Sequence, residues 1–381
     1  MTNNYLLNDS IISPLGFDTQ TNLESIQNKK SALKLHKFPQ TYPDGFYAGI
    51  IEEEGINFEF NKIGNPEKFT KLEKMLILSI QQVIHSSPNI DLEETGLIIS
   101  TTKGNIDLLD NPGNFESNRI FLWRLAEVIA HFFKLKSKPI VISNACISGA
   151  LAIKVANDFI EAKQFKHMLV AAGDLVSNFV VSGFKSFNAI SSKPCSPYSS
   201  DRDGISLGET AAAILIGPAN NTNSKIKFID ATTVNDANHI SGPSRTGEGL
   251  FLAVSKLMEH TGIKKEEIDY ISAHGTATIF NDEMEAMAFN RMGMGEIPLN
   301  SFKGYYGHSL GASALVESIL TKHSLLNNKL FESLNFLKAG TSNSLSIITQ
   351  SHQQQLKYAL KTASGFGGCN LAMLLKKEVD A

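Results

Sequence analysis

A cysteine and two histidines are the residues of this chain whose settings suit covalent chemistry. Cys146 lies in Val141-Ile142-Ser143-Asn144-Ala145-Cys146-Ile147-Ser148-Gly149-Ala150, where a short β-branched stretch gives way to small residues and then to the apolar, helix-compatible segment Leu151 to Ile160. A nucleophile at a strand-to-helix turn faces unpaired backbone N–H groups and the positive end of the helix dipole, which favour a thiolate over a thiol and can hold an oxyanion. Most single cysteines are buried core. Gly149 and Ala150, however, let the helix start approach another backbone or a ligand closely, which a packing cysteine does not require. His274 opens His274-Gly275-Thr276-Ala277-Thr278, directly after the strand-like Tyr270-Ile271-Ser272-Ala273, and His308 ends Lys303-Gly304-Tyr305-Tyr306-Gly307-His308. Taken singly, each histidine reads as a buried side chain with its hydrogen bonds satisfied. Both lie at junctions rich in Gly, Ser and Thr, where α/β folds place sites. None of the cysteines forms a metal-type spacing with them, so no metal is expected.

The elements that must position these groups alternate along the chain. Met168 to Gly173, Ala211 to Ile216, Tyr358 to Ala363 and Leu371 to Leu375 read as buried strands, the last two separated by Gly365-Phe366-Gly367-Gly368. There is an internal echo. Ser143 to Cys146 leads into Ser148-Gly149-Ala150-Leu151-Ala152-Ile153, and Ile297-Pro298-Leu299-Asn300-Ser301 leads through a glycine-containing loop into Ser309-Leu310-Gly311-Ala312-Ser313-Ala314-Leu315-Val316. The alternation predicts an α/β fold of two related, packed halves, 1–222 and 223–381, with the loop Gly217 to Ser224 between them. Phe121, Leu122, Leu125, Val128, Ile129 and Phe132 recur at helical spacing, predicting an amphipathic helix over 120–133 whose apolar stripe faces the core or a second subunit.

Composition bounds the function. The 381 residues, 42% hydrophobic and 19% charged, suit a globular enzyme, and 35 basic against 38 acidic residues with no basic tract argue against a nucleic-acid partner. Three cysteines at unrelated spacings do not make a disulfide framework and fit a reducing compartment. No apolar run approaches the roughly 20 residues that span a bilayer, and the start lacks the order of a secretory signal, so a cytoplasmic protein without a membrane partner is expected.

The ordered set of motifs resembles the β-ketoacyl-acyl-carrier-protein synthases, condensing enzymes of the thiolase superfamily. It runs from Ser13-Pro14-Leu15-Gly16 through the Cys146 turn, Gly183-Phe184, Arg202-Asp203-Gly204 and Gly208-Glu209 to His274-Gly275-Thr276-Ala277-Thr278 with Asn281-Asp282 and Glu285. It continues through Lys303, Gly307-His308 and Glu317 to Gly365-Phe366-Gly367-Gly368 with Asn370. The resemblance implies a thiolase-like fold with αβαβα layers and a Cys146, His274, His308 site of the elongating branch, with Lys303 behind it and Glu317 holding the lysine. It implies that Cys146 takes an acyl group from the phosphopantetheine of an acyl carrier protein, with the Cys146 and Phe366 amides as oxyanion hole. His274 and His308 would then stabilise the enolate formed as a malonyl thioester loses CO₂. Thr276 and Thr278 resemble pantetheine-binding hydroxyls, Phe366 a gate, and Phe184 an acyl-tunnel residue with core packing as its alternative. Glu209 is better read as a buried hydrogen-bond partner than as an acid, and Lys303 as either an electrostatic tuner or an ion pair.

The same resemblance implies no bound cofactor, an acyl carrier protein as partner, and a homodimer or a heterodimer with a related synthase subunit. His308 in place of asparagine argues against the chain-initiating branch. Cys369 falls after Gly367-Gly368, where a packing role is expected rather than that of a thiolase's second cysteine. The stretch from Gly104 to Cys146 and Thr210 depart from the housekeeping pattern, pointing to a specialised synthase of polyene or polyketide type. The competing expectation is a non-catalytic partner subunit resembling a chain-length factor.

Overall fold

The computed structural model describes residues 3–39, 41–219, 225–237 and 244–378. The boundary expected between 222 and 223, and residues 220–224 of the expected loop, lie outside the described residues. Ten strands form one sheet. The first half supplies β1 (Asn4–Ile12), β2 (Thr95–Ser100), β3 (Ile140–Ile142), β4 (His167–Asp174) and β5 (Thr210–Pro218). The second supplies β6 (Ile226–Asn235), β7 (Tyr270–Ser272), β8 (Leu299–Asn300), β9 (Tyr358–Ser364) and β10 (Cys369–Lys377).

Each half runs in the same order outward from the seam. β1-β5-β4-β2-β3 in one matches β6-β10-β9-β7-β8 in the other, and β1 meets β6 through the pair Tyr5 and Lys227. Directions match as well: β2 is parallel to β3 and β4 while β5 is antiparallel to β4 and β1, as β7 is to β8 and β9 and β10 to β9 and β6. The sequence echo is thus a structural repeat. It is carried by hydrophobic runs such as Leu169 to Ala172 and Leu371 to Leu375, buried on both faces because helices cover both.

The helices complete the layers. α1 (Lys71–His85) and α2 (Leu122–Phe132) cover the outer face of the first half; α3 (Ser148–Glu161) and α8 (Ser313–Asn327) pack on each other between the halves. α5 (Glu248–Thr261) and α6 (Ile279–Arg291) cover the second half, while the short α4 (Asn178–Ser186) and α7 (Lys303–Tyr306) flank the centre. This is the αβαβα arrangement expected. α1 starts with a full capping box, Thr70 and Glu73 each bonding the other's backbone N–H, a device that fixes a helix start by about 1 kcal/mol. At the centre Gly149 is required: a Cβ there would lie 2.6 Å from the Leu315 amide nitrogen and 3.0 Å from the Gly311 carbonyl oxygen.

The amphipathic helix begins two residues later than expected, and Phe121 does not join its buried stripe. Phe121 precedes the first turn with extended backbone (φ −77°, ψ 138°), so its ring leaves the helical face and stacks on Trp123 at 6.2 Å, both about half exposed. Leu125 and Ile129 are fully buried.

Candidate active site

Cys146 and His308 occupy the same place in the repeat, the passage into α3 and α8, and His274 follows the neighbouring strand β7. β3 leads through Ala145, held at φ 42°, into Cys146, and α3 follows from Ser148. A non-glycine residue in the left-handed region is strained. Here the Ser148 hydroxyl donates to the Ala145 carbonyl at 2.6 Å and accepts the Asn144 N–H at 2.8 Å, locking the turn that presents the sulfur. In the second half β7 ends at Ser272 and His274 follows; α7 ends at Tyr306 and Gly307 (φ 76°) turns the chain into His308. A Cβ at Gly307 would fall 2.2 Å from the Leu207 carbonyl oxygen, so only glycine makes that turn here.

Cys146 Sγ and one ring nitrogen from each of His274 and His308 lie within 4.8 Å of one another. The rings stand edge to face, centroids 5.3 Å apart. All three line a cavity of ≈ 180 Å³ together with Phe184, Phe187, Thr276, Thr278 and Phe366. Phe366 is 38% exposed and sits between Phe184 and Phe187, at centroid distances of 5.7 and 5.4 Å. A Cβ on its neighbour Gly365 would be 3.0 Å from the Cys146 amide nitrogen, so the Phe366 turn packs directly on the nucleophile's backbone.

Hydrogen bonding sets the histidine tautomers. Lys303 Nζ lies 3.3 Å from His274 Nδ1 and also donates to the His274 carbonyl, which makes that Nδ1 an acceptor. The Leu310 N–H donates to His308 Nδ1 at 3.0 Å; Leu310 is held at φ 51°, and Ser313 Oγ lies 3.0 Å from the same nitrogen. Each ring therefore carries its proton on Nε2. Burial, then the charge of Lys303, hold both rings well below the usual histidine range, so at neutral pH both are uncharged N–H donors. Such a pair offers protons, not lone pairs, and suits a developing oxyanion.

The thiolate expected from sequence is not the resting state. Cys146 is 8% exposed, and burial, then the nearby Cys369 thiol, push its pKa up to about 12, against the opposing charge of Lys303. Burial, which disfavours the charged form, is the largest cause of the shift.

Behind the rings, Lys303 Nζ pairs with Glu317 Oε1 at 2.6 Å, and both side chains are buried. Beneath His274, Glu285 accepts the His274 and Gly275 amides at 2.9 and 2.7 Å, the Tyr198 hydroxyl at 2.9 Å and Asn281 Nδ2 at 3.0 Å. Thr278 caps α6 by accepting the Asn281 amide at 3.3 Å, and its hydroxyl meets that of Thr276 at 2.9 Å. Glu209 stands apart from the cavity, accepting the Ile51 and Val176 amides at 2.9 and 3.2 Å and pairing with Lys71 at 2.6 Å. Cys369 is buried under Gly365, its sulfur 3.8 Å from the Asn144 and Phe366 carbonyl oxygens.

Three residues in or behind the site carry little signal in the sequence. Leu310 acts through its amide, which no residue type signals. Phe187 is one aromatic among 23 phenylalanines. Lys361 sits inside a buried-strand pattern, where a lysine is itself a signal.

Residues 11–221 match the family model described as beta-ketoacyl synthase, N-terminal domain, and 227–337 the corresponding C-terminal domain. A putative mitochondrial 3-oxoacyl-[acyl-carrier-protein] synthase of Schizosaccharomyces pombe is 25% identical, covering 96% of this chain and 97% of its own. A 3-oxoacyl-[acyl-carrier-protein] synthase 2 of Rhizobium meliloti is 29% identical over 64% of this chain and 62% of its own. Among solved structures, a β-ketoacyl synthase from Burkholderia phymatum superposes with a TM-score of 0.87 at 19% identity over all of both chains. A ketosynthase in complex with its chain length factor from Xenorhabdus doucetiae gives 0.84 at 21%, covering 99% of this chain and 98% of that one.

Proposed function

We propose, from the premise that this chain belongs to the β-ketoacyl synthase family, that it catalyses decarboxylative condensation of an acyl thioester with a malonyl thioester, both carried on the phosphopantetheine of an acyl carrier protein. The observation that carries this reading is the convergence of one sulfur and two neutral Nε2–H donors on a single apolar cavity.

Cys146 Sγ attacks the acyl carbonyl while the Cys146 and Phe366 amides receive the oxyanion; the pantetheine sulfur leaves, and the thiol's proton ends on it. The malonyl arm then enters along Thr276 and Thr278. His274 and His308 donate to its thioester carbonyl oxygen, so that the electron pair released as CO₂ departs collects on an oxygen held by two N–H groups. The resulting enolate carbon attacks the acyl-cysteine carbonyl; the C–S bond breaks, the thiolate leaves, and it takes one proton from solvent to restore the thiol. Lys303, held by Glu317, keeps the His274 tautomer that this needs, and Phe184 lines the path of the acyl chain. No cofactor of the enzyme's own enters these steps.

The two halves act as one unit, residues 1–222 supplying the nucleophile and 223–381 both histidines. β3 is the last strand at its end of the sheet, and Leu109, Phe121 and Trp123 are exposed large apolar residues of the same half. Edges of this kind are covered in stable proteins, which supports pairing with a second copy or a related subunit. Cys146, His274 and His308 together count against a non-catalytic role in such a pair. The unpaired, buried Cys146, Cys195 and Cys369 support a cytoplasmic setting. Among the described residues no helix is long and apolar enough to cross a membrane.

The test is intact-mass spectrometry with acyl-loaded and malonyl-loaded carrier proteins. An acyl adduct absent from Cys146→Ala and a β-keto product two carbons longer are expected; an adduct released only as free acid would overturn the condensation, and no adduct would favour the partner-subunit reading.

A further inference from the structure

Lys361 is a fully buried lysine in the middle of a strand, and the chemistry proposed above does not use it. On β9 it shares a face with Ala359 and Ala363, which pack in the central core, so its side chain runs toward α8 rather than to solvent. There its Nζ lies 2.6 Å from Glu317 Oε2, the carboxylate oxygen not used by Lys303. The Thr362 carbonyl accepts from it at 2.7 Å, and those of Ser272 and Ala273, the residues leading to His274, accept at 3.3 and 3.4 Å. Its nearest polar contacts among the described residues are acceptors, which suit an ammonium; burial lowers its pKa and the Glu317 carboxylate opposes that. The Lys361 contact lacks the angle of a hydrogen bond at Glu317 Oε2, and that oxygen has no hydrogen-bond donor among the described residues, so Lys361 is its charge partner.

One carboxylate thus serves two buried lysines directly behind the site. We propose that Lys361 is a positioning residue of the condensing site: it holds Glu317 so that Lys303 faces His274. The inference rests on the condensing function and says how its donors stay in the required state.

The groups facing the two rings are Lys303 from α7, Glu317 from α8, Lys361 from β9, Glu285 from α6 and the Cys146 thiol. Asp174, at the end of β4, reaches the same region through the Gly311 amide at 2.8 Å. Burial is the main reason the rings stay neutral; Lys303 and Lys361 add to it at both. Removing the Lys361 charge therefore lets the rings protonate at higher pH. Because the reaction needs them neutral, the acid limb of the rate profile moves upward.

The test compares Lys361→Met, which keeps the length without the charge, with Lys361→Arg, which keeps the charge. For folded Lys361→Met the expected result is retained acylation of Cys146 by intact mass, kcat for condensation down about 10-fold with little change in KM, and an acid limb raised by on the order of 1 pH unit. Lys361→Arg should hold the limb near its original position. An unchanged limb in a folded Lys361→Met protein, or an equal displacement in both variants, overturns the proposal. If the methionine variant does not fold, nitrogen NMR of histidine-labelled unsubstituted protein decides, since either ring titrating at about pH 6 also overturns it. Failure of the condensing function itself would look different: the unsubstituted protein would give no extended product while its rings stayed neutral.

Discussion

Replacing Glu285 by glutamine probes the support under His274 while hardly changing volume. The carboxylate accepts at both oxygens: His274 N–H at Oε1, and Gly275 N–H, the Tyr198 hydroxyl and Asn281 Nδ2 at Oε2. Glutamine offers one oxygen and one NH₂, so in either orientation at least one buried backbone N–H faces another donor. The orphaned donor costs about 1–3 kcal/mol, and exchanging charge-assisted bonds for neutral ones adds a similar amount, giving roughly 3 kcal/mol in total. That corresponds to a melting-temperature fall of about 4 °C for a chain of this size. Because Gly275 (φ 43°) and Ala277 (φ 66°) hold the following turn in the left-handed region, freeing the amides lets it relax and shifts His274. A misplacement of about 1 Å costs on the order of 100-fold in rate. Differential scanning fluorimetry and product formation from carrier-bound substrates measure both quantities. A melting temperature within about 1 °C of the original, together with undiminished turnover, refutes the reasoning that this carboxylate builds the histidine turn.

Two further outcomes are expected. Alkylation of Cys146 by iodoacetamide should rise about tenfold per pH unit from pH 7 to 10 without levelling off, because burial leaves a thiol with a pKa of about 12; a plateau near pH 7 would mean that the helix end prevails over desolvation. Gly149→Ala should destabilise by about 3 kcal/mol or prevent folding, since its methyl group meets the Leu315 backbone at 2.6 Å, whereas Gly183→Ala, with nothing within 4 Å, should melt near the original temperature.

Much of the fold was legible because its repeat is written in hydrophobic runs. Met168 to Gly173 and Leu371 to Leu375 are strands, and the echo around Cys146 and Ser309 is the strand-to-helix passage of each half. Cys146, His274 and His308 were legible as residue types at glycine-rich junctions, and they meet at one cavity. Three things were hidden, each depending on distance in space. The charge state of Cys146 follows from how completely the second half buries it. The His308 tautomer follows from the Leu310 amide, aimed by a strained backbone angle. Lys361 meets Glu317 across 44 positions of sequence, and a strand pattern records only that its neighbours are apolar. Phe121 failed differently: periodicity cannot show where a helix takes its first turn, and one residue outside that turn a ring points elsewhere.

The small cavity that gathers the sulfur and both imidazoles also imposes a schedule. Its walls are packed aromatic rings and buried backbone, and the sulfur and both imidazoles line the same ≈ 180 Å³. A second carrier arm finds no berth while the first still occupies the sulfur, so donor and extender must take turns and the first carrier departs empty before the second is engaged. Flooding such an enzyme with extender would then slow it by blocking the loading step.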